Sequence, residues 1–382
     1  MRILLVGDYP PDPRLGSTKV LVKLQEEFRA LGHTCDLLLA DGLERAPRNF
    51  YLRQTVAPLA AWSAVTRRVR SSGPYDVIDV ASAEGLWIGL RRRKLGNAVV
   101  ISRSNGLEHL NYQRILEDAA AGLAPKPWTR RIFHPVVRLT QVAGAARAAD
   151  RLLVLNESDR AFAIDKGWKT EAQIVIVPHG VSRSFLDGSP SRIGGRGRGI
   201  LFCGSWAAVK GVSYLAAAFS SLVAAGCTSN LTILGGAVAD EEIRSAFSPE
   251  ARQFLTIRDR VAEEAVMAAY REHDVLAWPS TYEGFGMVVI EAMSQRLPVV
   301  ATPVGCAQSL VEAEKTGLLV PPRDPVALAA ALQRMLADRE LSTRCAAAAF
   351  DRVRGMTWTS TAERTLDVYQ RALAARRSSN GH

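Results

Sequence analysis

Two carboxylates eight residues apart flank a glycine-rich turn in the second half of the chain. Glu283 opens the segment Glu-Gly-Phe-Gly-Met-Val-Val-Ile-Glu, and Glu291 closes it. The segment follows the apolar run Val275–Trp278 and a Pro-Ser pair, which predicts a strand, a loop and then a helix. Glycines let the loop backbone approach a ligand, and the helix start directs free N–H groups and a positive dipole end to the same place. The pattern indicates an anion site with an acidic side chain on either side, as a nucleotide sugar would need.

A second segment, from Phe202 to Gly211, predicts a similar site. A strand is expected to end at Gly204, Ser205 follows it, and a helix is expected to begin near Lys210. A helix start at the carboxyl end of a strand is a common phosphate site, and the Lys210 ammonium could neutralise a diphosphate as a point charge. A solvated lysine at a helix start is the alternative interpretation.

The order of these motifs resembles that of the retaining glycosyltransferases of the GT4 type, the glycosyl transferases group 1. The residues that carry the resemblance are Glu283 to Gly286 and Glu291, preceded by Pro-Ser and followed by Leu-Pro-Val-Val-Ala-Thr at 297–302, and it extends from Gly7 to Tyr369. It implies an α/β protein of the GT-B fold. In that fold two Rossmann-like βαβ domains face each other across a cleft, and a C-terminal helix crosses back to the N-terminal domain.

The resemblance also implies an activity, which is transfer of a sugar from a nucleoside-diphosphate sugar to an acceptor hydroxyl with retention. The acceptor would be a carbohydrate or a lipid-linked compound, in polysaccharide, glycolipid or other glycoconjugate biosynthesis. Two alternatives stay open: a non-catalytic nucleotide-sugar-binding protein of the same fold, and an epimerase of nucleotide sugars. The nucleotide sugar is a co-substrate, so no cofactor is expected, and no metal-ligand motif is evident.

Each motif position receives a role from the resemblance. Glu283 would contact hydroxyls of the donor sugar, backbone N–H groups near Phe285 would hold the distal phosphate, and Glu291 would bind the ribose. Arg258 could stack on the base or be a solvated loop arginine. The donor-binding residues expected are Gly204, Ser205, Lys210, Arg258, Glu283, Gly284, Phe285, Gly286, Met287, Val288 and Glu291.

Two positions depart from the family pattern. Position 205 usually carries Arg, and the residue before Gly106 is often His, whereas this chain has Ser205 and Asn105. Asn can hydrogen-bond a hydroxyl but cannot titrate. His109, four residues later, could reach the ligand or be a structural helix histidine. The catalytic candidates are therefore Glu283, Lys210, Asn105 and His109.

The first predicted strand is followed by a loop rich in proline. Because this loop is too long for a GxGxxG turn, the sequence disfavours a dinucleotide-binding dehydrogenase. In the family the matching loop lies on the acceptor side, so Arg14 and Gly16 are the acceptor-side candidates. An ordinary surface loop is the alternative.

A chain of 382 residues predicts two domains. The expected boundaries are an N-terminal acceptor-side domain at 1–185, a Gly- and Arg-rich linker at 186–199, a nucleotide-sugar-binding domain at 200–356, and a crossover helix with a tail at 357–382. The strands expected in the first half are Ile3–Gly7, Cys35–Ala40, Val77–Ala81, Ala98–Ser102, Arg151–Leu155 and Ile174–Val177. Those expected in the second half are Ile200–Cys203, Leu231–Leu234, Val275–Trp278, Pro298–Thr302 and Gly317–Val320.

The charge is concentrated in the first half of the chain. Of the net +10, residues 1–185 contribute +9, from 27 Lys and Arg against 18 Asp and Glu. Basic residues flank aromatic or apolar ones in two stretches. The first contains Arg45, Arg48, Phe50, Tyr51, Arg53, Leu59, Trp62, Arg67, Arg68 and Arg70. The second contains Lys126, Trp128, Arg130, Arg131, Phe133 and Arg138. This composition suits an anionic membrane surface, and solvated arginine is the alternative. No nucleic-acid motif accompanies it, so no nucleic-acid partner is expected. The first apolar run is too short for a signal peptide core, and no run approaches the ~20 residues of a transmembrane helix. We therefore expect a cytoplasmic protein, peripheral at the inner face of the membrane.

Overall fold

The computed structural model of this chain describes residues 1–12, 15–43, 49–122, 132–187 and 197–380. The chain forms two compact units. The first comprises Met1–His179 together with Trp358–His382, and the second comprises Gly180–Thr357. Each unit contains a six-stranded sheet whose paired strands are all parallel. The last segment of the chain thus belongs to the same unit as the first.

The sheet of the first unit is buried on both faces. Its strands, β1 to β6 in chain order, are Arg2–Val6, Thr34–Leu38, Val77–Ala81, Val99–Arg103, Arg151–Val154 and Ile174–Ile176. They lie in the order β2-β1-β3-β4-β5-β6. Runs such as Val-Ile-Asp-Val-Ala in β3 are buried at every position, because helices cover both faces of a parallel sheet. All six strands expected from the sequence are present, with ends within two residues of those expected.

In the described part of the first unit, six α-helices precede the second unit in the chain. They are α1 to α6, at Gly16–Ala30, Phe50–Ser72, Gly85–Leu90, Glu108–Ala120, Thr140–Ala148 and Glu157–Asp165. A π-helical segment at His134–Leu139 leads into α5, and 3-10 turns lie at Ser82–Glu84, Arg92–Leu95 and Glu171–Gln173. The start of α2 is fixed by the Asn49 side chain, which accepts hydrogen bonds from the backbone N–H groups of Tyr51 and Leu52 at 3.0 and 3.1 Å.

The second sheet is built in the same way. Its strands, β7 to β12, are Ile200–Cys203, Leu231–Leu234, Leu255–Arg258, Val275–Trp278, Val299–Ala301 and Leu318–Leu319. Their order is β12-β11-β10-β7-β8-β9. The sequence did not predict β9, because this edge strand exposes Thr256 and Arg258 and lacks the continuous apolar run of the central strands.

The helices of the second unit, α7 to α15, are Arg183–Asp187, Val212–Ala224, Asp240–Ser245, Pro249–Arg252, Glu263–Glu272, Met287–Ser294, Ala307–Leu310, Pro325–Ala337 and Arg339–Val353. A 3-10 turn at Ala208–Lys210 precedes α8. The core of this unit forms where α8 and α14 pack on β7, β8 and β10 through buried side chains such as Phe202, Leu215, Phe219 and Leu332.

The final helix, α16, spans Trp358–Asn380 and completes the first unit. Its Tyr369 hydroxyl donates a hydrogen bond to the buried carboxylate of Asp79 in β3. The same carboxylate accepts from Arg103 Nε of β4 at 3.0 and 3.1 Å. Thr359 donates to Glu27 of α1 at 2.9 Å, so α16 is fixed at more than one point. This is the C-terminal helix that the sequence predicts to return to the N-terminal domain. In the described ranges no helix has both the length and the apolarity needed to span a bilayer.

A buried acid at the start of α6 makes the stability of the first unit depend on pH. Asp159 is 1% exposed, and burial raises the pKa of its carboxyl to about 7 from an ordinary 3.8, although the Leu107 backbone and the Asn156 side chain oppose the rise. Since the native state holds the proton more tightly, the free energy of unfolding falls as the pH rises from about 4 to about 7. The loss amounts to about 4 kcal/mol at most.

We therefore predict that Asp159→Asn removes most of this fall and raises the free energy of unfolding at pH 8. Urea unfolding of both proteins at pH 5 and pH 8 measures it. Asp165→Asn, at the exposed end of the same helix, is the control and should keep the wild-type pH dependence. A variant Asp159→Asn that loses stability between pH 5 and 8 as the wild type does would contradict this assignment.

Candidate functional site

The order of strands in the second sheet reverses between β7 and β10. From β7 the chain runs outward through β8 and β9, and it then returns to β10 on the other side of β7. Ligands of open α/β sheets bind at the carboxyl ends of the strands at such a reversal. The two loops that leave these ends are 204–211 and 279–286, and the Thr281 N–H donates to the Val209 carbonyl at 2.8 Å, which joins them.

Glycine is required where each loop enters its helix. Gly211, at the start of α8, has φ 70°, and a Cβ there would lie 1.9 Å from the carbonyl oxygen of Pro279. Gly286, at the start of α12, has φ 90°, and a Cβ there would lie 2.5 Å from the Trp278 ring. Neither helix has a side-chain cap or an acidic residue in its first turn. Both positive helix ends therefore lie beside the strand reversal, as an anion site requires.

Lys210 and Glu283, which the sequence separates by 73 positions, form an ion pair at this point. The Lys210 side chain is 28% exposed and that of Glu283 is 12% exposed, so a ligand could still reach both groups. Ser280 Oγ donates a further hydrogen bond of 3.1 Å to Glu283 Oε1. The structure thus brings together the cation and the acid of the two segments, and it adds Ser280 as the residue that orients the acid.

The loop after β11 holds the glycine-rich turn from the other side. Cys306 N–H donates to the Phe285 carbonyl at 2.6 Å, and Cys306 Sγ lies 3.4 Å from the Gly286 carbonyl oxygen. Gly305, with φ 53°, allows this approach, since a Cβ there would lie 2.4 Å from the Phe285 oxygen. Sequence reasoning missed this contact, although a glycine soon after a predicted strand could have indicated a close backbone approach.

Glu291 lies in the second turn of α12 and is 8% exposed. One of its carboxylate oxygens accepts a hydrogen bond of 3.1 Å from the Tyr270 hydroxyl of α11. Burial raises the pKa of Tyr270 well above its ordinary value, and neighbouring Cys203 and Glu291 add to the rise. Sequence reasoning did not identify this partner. The role of Glu291 toward a ribose stays a prediction.

The remaining donor-side candidates lie at the same sheet edge, at different distances from the β7–β10 reversal. Gly204 N–H donates to the Leu234 carbonyl at 2.9 Å, and the Ser205 carbonyl accepts from Ala207 N–H at 2.9 Å. Gly284 lies within the loop, and Met287 and Val288 form the first turn of α12. Arg258 is exposed at the end of β9, two strands and about 10 Å from β7, so its role in base binding stays a prediction.

Two catalytic candidates lie in the first unit. Asn105 follows β4, and its Nδ2 donates to the Tyr9 hydroxyl at 3.1 Å. His109 packs against the rings of Trp168 and Phe162, at centroid distances of 4.7 and 5.6 Å. Burial lowers the pKa of His109 to about 4. This packing favours the structural interpretation of His109 over a catalytic one.

The acceptor-side candidates are less defined. Gly16 is the first residue of α1, and a Cβ there would meet no atom within 4 Å. Arg14 lies outside the described residues. Within the described ranges, no group of three or more His, Cys, Asp and Glu side chains is placed to hold a metal ion.

Comparison with known proteins shows which family the chain resembles. The model of the glycosyl transferases group 1 matches residues 197–338, which include both loops of the site. A D-inositol 3-phosphate glycosyltransferase of Kineococcus radiotolerans is 32% identical over 288 residues, or 69% of this chain. The chain is therefore similar to the group 1 glycosyl transferases. An α-D-kanosaminyltransferase of Streptomyces kanamyceticus is also 32% identical, over 148 residues that form 38% of each protein.

Solved structures of this family's fold cover almost the whole chain. Sucrose-phosphate synthase of Thermosynechococcus elongatus superposes with a TM-score of 0.76 at 23% identity, over 98% of this chain and 99% of its own. The HepE protein of Anabaena, in complex with UDP and glucose, gives 0.69 at 14% identity, over 97% and 99%. The fold is therefore GT-B, as the sequence predicts. The match to the Kineococcus relative spans 64% of that protein's length.

Gly211 provides a direct test of the link between the two loops. We predict that Gly211→Ala destabilises the protein by several kcal/mol, because the new methyl group would overlap the Pro279 carbonyl. Gly226→Ala is the matched control, since Gly226 also has a positive φ, of 90°, but faces open space. That variant should cost only about 1–2 kcal/mol. Urea unfolding compares the two, and equal losses would contradict the close approach.

Proposed function

We propose that this protein is a retaining, hexosyltransferase-like glycosyltransferase that moves a sugar from a nucleoside-diphosphate sugar to an acceptor hydroxyl in glycoconjugate biosynthesis. The observation that carries the proposal is the Lys210–Glu283 pair between two helix starts at the β7–β10 reversal. The complexes of HepE with UDP, with UDP and glucose, and with UDP-glucose support a nucleotide-sugar donor.

The donor would use this site in three ways. Its diphosphate would accept hydrogen bonds from backbone N–H groups at the start of α12 and face the Lys210 ammonium, which offsets negative charge. Its sugar hydroxyls would donate to Glu283, which Ser280 holds in place. The ribose would contact Glu291.

The chemistry that fits these residues requires no protein nucleophile. The bond between the anomeric carbon and the phosphate oxygen breaks, and the acceptor oxygen forms its bond on the same face of the sugar. The acceptor proton passes to the leaving phosphate oxygen. The protein contributes orientation and stabilisation of the developing diphosphate charge, through Lys210 and the helix starts. No resident metal is needed for this scheme, so we expect transfer to continue in the presence of EDTA.

In this proposal the donor diphosphate replaces Glu283 as the partner of Lys210, and variants of the two residues test it. Lys210→Met should weaken UDP binding roughly 10- to 100-fold, because a charge-assisted contact is lost. Glu283→Gln should bind UDP at least as tightly as the wild type, because Lys210 no longer has a competing carboxylate. It should nevertheless transfer sugar roughly 10- to 100-fold more slowly, because the hydroxyl contact is weakened. Calorimetry with UDP and a transfer assay with radiolabelled donor measure the two effects.

Lys315→Met is the control, since Lys315 also pairs with a glutamate, Glu312, but on the surface. UDP binding that is insensitive to Lys210→Met would exclude this donor site. Binding of UDP and UDP-sugars without hydrolysis or transfer would favour a non-catalytic binding protein. Release of UDP with an altered sugar and without any acceptor would favour an epimerase.

We also propose that the protein is cytoplasmic and binds the inner face of an anionic membrane through its first unit. Large apolar side chains are exposed near the start of α2 and beside the π-helical segment. These side chains, named here the apolar patch, are Phe50, Leu52, Leu59, Ile132 and Val136, which are 44–64% exposed. The Gln141 side chain donates to the Thr55 carbonyl at 3.1 Å, which joins the two segments.

Of the basic residues expected to flank this patch, Arg53, Arg67, Arg68 and Arg70 lie in α2, and the others divide into two groups. Arg45, Arg48, Lys126, Arg130 and Arg131, together with Trp128, lie outside the described residues. Arg138 does not fit the membrane interpretation, because its guanidinium is committed to Glu84 and Glu108 and its side chain is only 12% exposed. The sequence could not reveal this, since both partners lie far from it along the chain.

Vesicle sedimentation tests the membrane proposal. We expect the wild type to sediment with vesicles that contain phosphatidylglycerol at low salt, and the double variant Phe50→Ser/Ile132→Ser to lose most of that binding. Val326→Ser, which alters a 78% exposed apolar residue of the second unit, is the control and should bind like the wild type. A wild type that stays in the supernatant refutes the proposal.

A further inference from the structure

The sheet of the first unit has its own strand reversal, between β1 and β3. Polar residues from three segments meet at its carboxyl edge. The Tyr9 hydroxyl, after β1, contacts Asn105, after β4, at 3.1 Å. Ser82, directly after β3, donates to Glu108 Oε1 at 2.8 Å. The reversal is the position in an open α/β sheet where a ligand is expected, and this one is lined by groups that bind hydroxyls.

Arg138 joins two of the acids at this edge. Its Nη1 lies 2.9 Å from Glu84 Oε1, while Nε and Nη2 lie 3.0 and 2.8 Å from the oxygens of Glu108. Burial raises the pKa of Glu84, which is 3% exposed. At Glu108 burial acts in the same direction, but the charge and hydrogen bonds of Arg138 outweigh it and lower the pKa. One guanidinium faces two carboxyls, so the group is neutral or negative whenever Glu108 is ionised.

Two further arginines at this edge are committed in the same way. Arg53 Nη2 lies 2.8 Å from Asp8 Oδ1, and Arg103 holds Asp79 inside the sheet. In contrast, Asn105 has an uncommitted acceptor, because its Oδ1 is fully buried and has no hydrogen-bond partner among the residues that the structure describes. The edge therefore presents oxygen acceptors to a ligand while its arginines are already neutralised. Hydroxyl and ammonium groups match such a surface, and a phosphate would meet carboxylates.

We propose that Tyr9, Ser82, Glu84, Asn105, Glu108 and Arg138 form the acceptor-recognition site and select unphosphorylated polyols, sugars or amino sugars over phosphorylated ones. This inference rests on the proposed transferase function, which requires an acceptor. It sets this chain apart from the Kineococcus relative, whose name specifies an inositol phosphate. Glu84 and Glu108 are the residues that exclude a phosphate, since they occupy the guanidinium that would otherwise bind it bidentately.

The experiment compares matched acceptors in saturation-transfer NMR. The probes are myo-inositol, glucose and glucosamine, with inositol 3-phosphate and glucose 6-phosphate as the phosphorylated members. Wild-type protein saturated with UDP should bind at least one unphosphorylated probe about tenfold more tightly than its phosphorylated counterpart. The double variant Glu84→Gln/Glu108→Gln should reverse the preference and gain affinity for inositol 3-phosphate, because Arg138 is released.

Arg160 provides a matched control. It also lies between two glutamates, Glu157 and Glu171, but on the surface of the same unit. The variant Glu157→Gln/Glu171→Gln should keep the wild-type preference. Any of three results refutes the inference. The wild type prefers the phosphorylated probe, it binds no unphosphorylated probe, or Glu84→Gln/Glu108→Gln has the same preference as the wild type. UDP binding, measured separately, reports on the donor site: its absence would show that the proposed function itself has failed.

Discussion

The ion pair between Lys210 and Glu283 is the interaction on which the candidate donor site of the second unit depends. A partly buried pair recovers its desolvation cost only when its geometry is good and further hydrogen bonds support it. Here the support comes from Ser280 and from the contact between Thr281 and Val209, which holds the two loops together. Gly211 allows the loops to come this close. The residues of this charged contact are thus positioned by the β7–β10 reversal, two helix starts and one glycine.

The family usually has an arginine at position 205 in addition to the lysine. The Lys210–Glu283 pair would also explain how Lys210 can be sufficient for binding the diphosphate without that arginine. In the ligand-free protein Glu283 compensates Lys210. When a diphosphate binds the Lys210 ammonium, Glu283 would be released to accept hydrogen bonds from the sugar hydroxyls. Donor binding would thus make both side chains available for the ligand. Backbone N–H groups at the start of α12 would carry the remaining phosphate charge without a counter-ion of their own. In this proposal Ser205 is compatible with donor binding, because much of the anion stabilisation comes from the backbone.

Both sheets are parallel and each has one strand reversal, although one strand lies outward of β1 and two lie outward of β7. The charged groups at the two reversals differ. In the second unit one lysine, paired with one glutamate, lies at the carboxyl edge together with two uncapped helix starts. In the first unit three arginines lie there, yet each is neutralised by a carboxylate. The net charge of +9 for residues 1–185 therefore describes this edge poorly. Side-chain pairing determines what each reversal can bind, and the total charge of a domain does not.

Apolar runs were sufficient to predict most of the fold. The central strands are short, continuous and buried on both faces, so Val275–Trp278 and its neighbours are recognisable without any partner. The edge strand β9 was missed because it has exposed alternate positions. Lys210 and Glu283 were each identified by local motifs, whereas their contact depends on the strand order. The surroundings of Arg138 and His109 could not be predicted from the sequence, because Glu84, Glu108, Trp168 and Phe162 approach them only through tertiary packing.

The return of α16 to the first unit imposes an order on folding. The second unit is continuous in sequence, from Gly180 to Thr357, so all its contacts can form once that segment has been synthesised. The first unit cannot complete its core at that stage, because Asp79 and Arg103 are buried beneath Tyr369, which lies 290 positions after Asp79. Without α16, this acid and this arginine would be left partly uncovered, and the contact of Phe28 with the Tyr369 ring would be missing. Contacts of such separation form late, because they must first close a long loop. The unit with the apolar patch can thus be completed only after the whole segment of the second unit has been made.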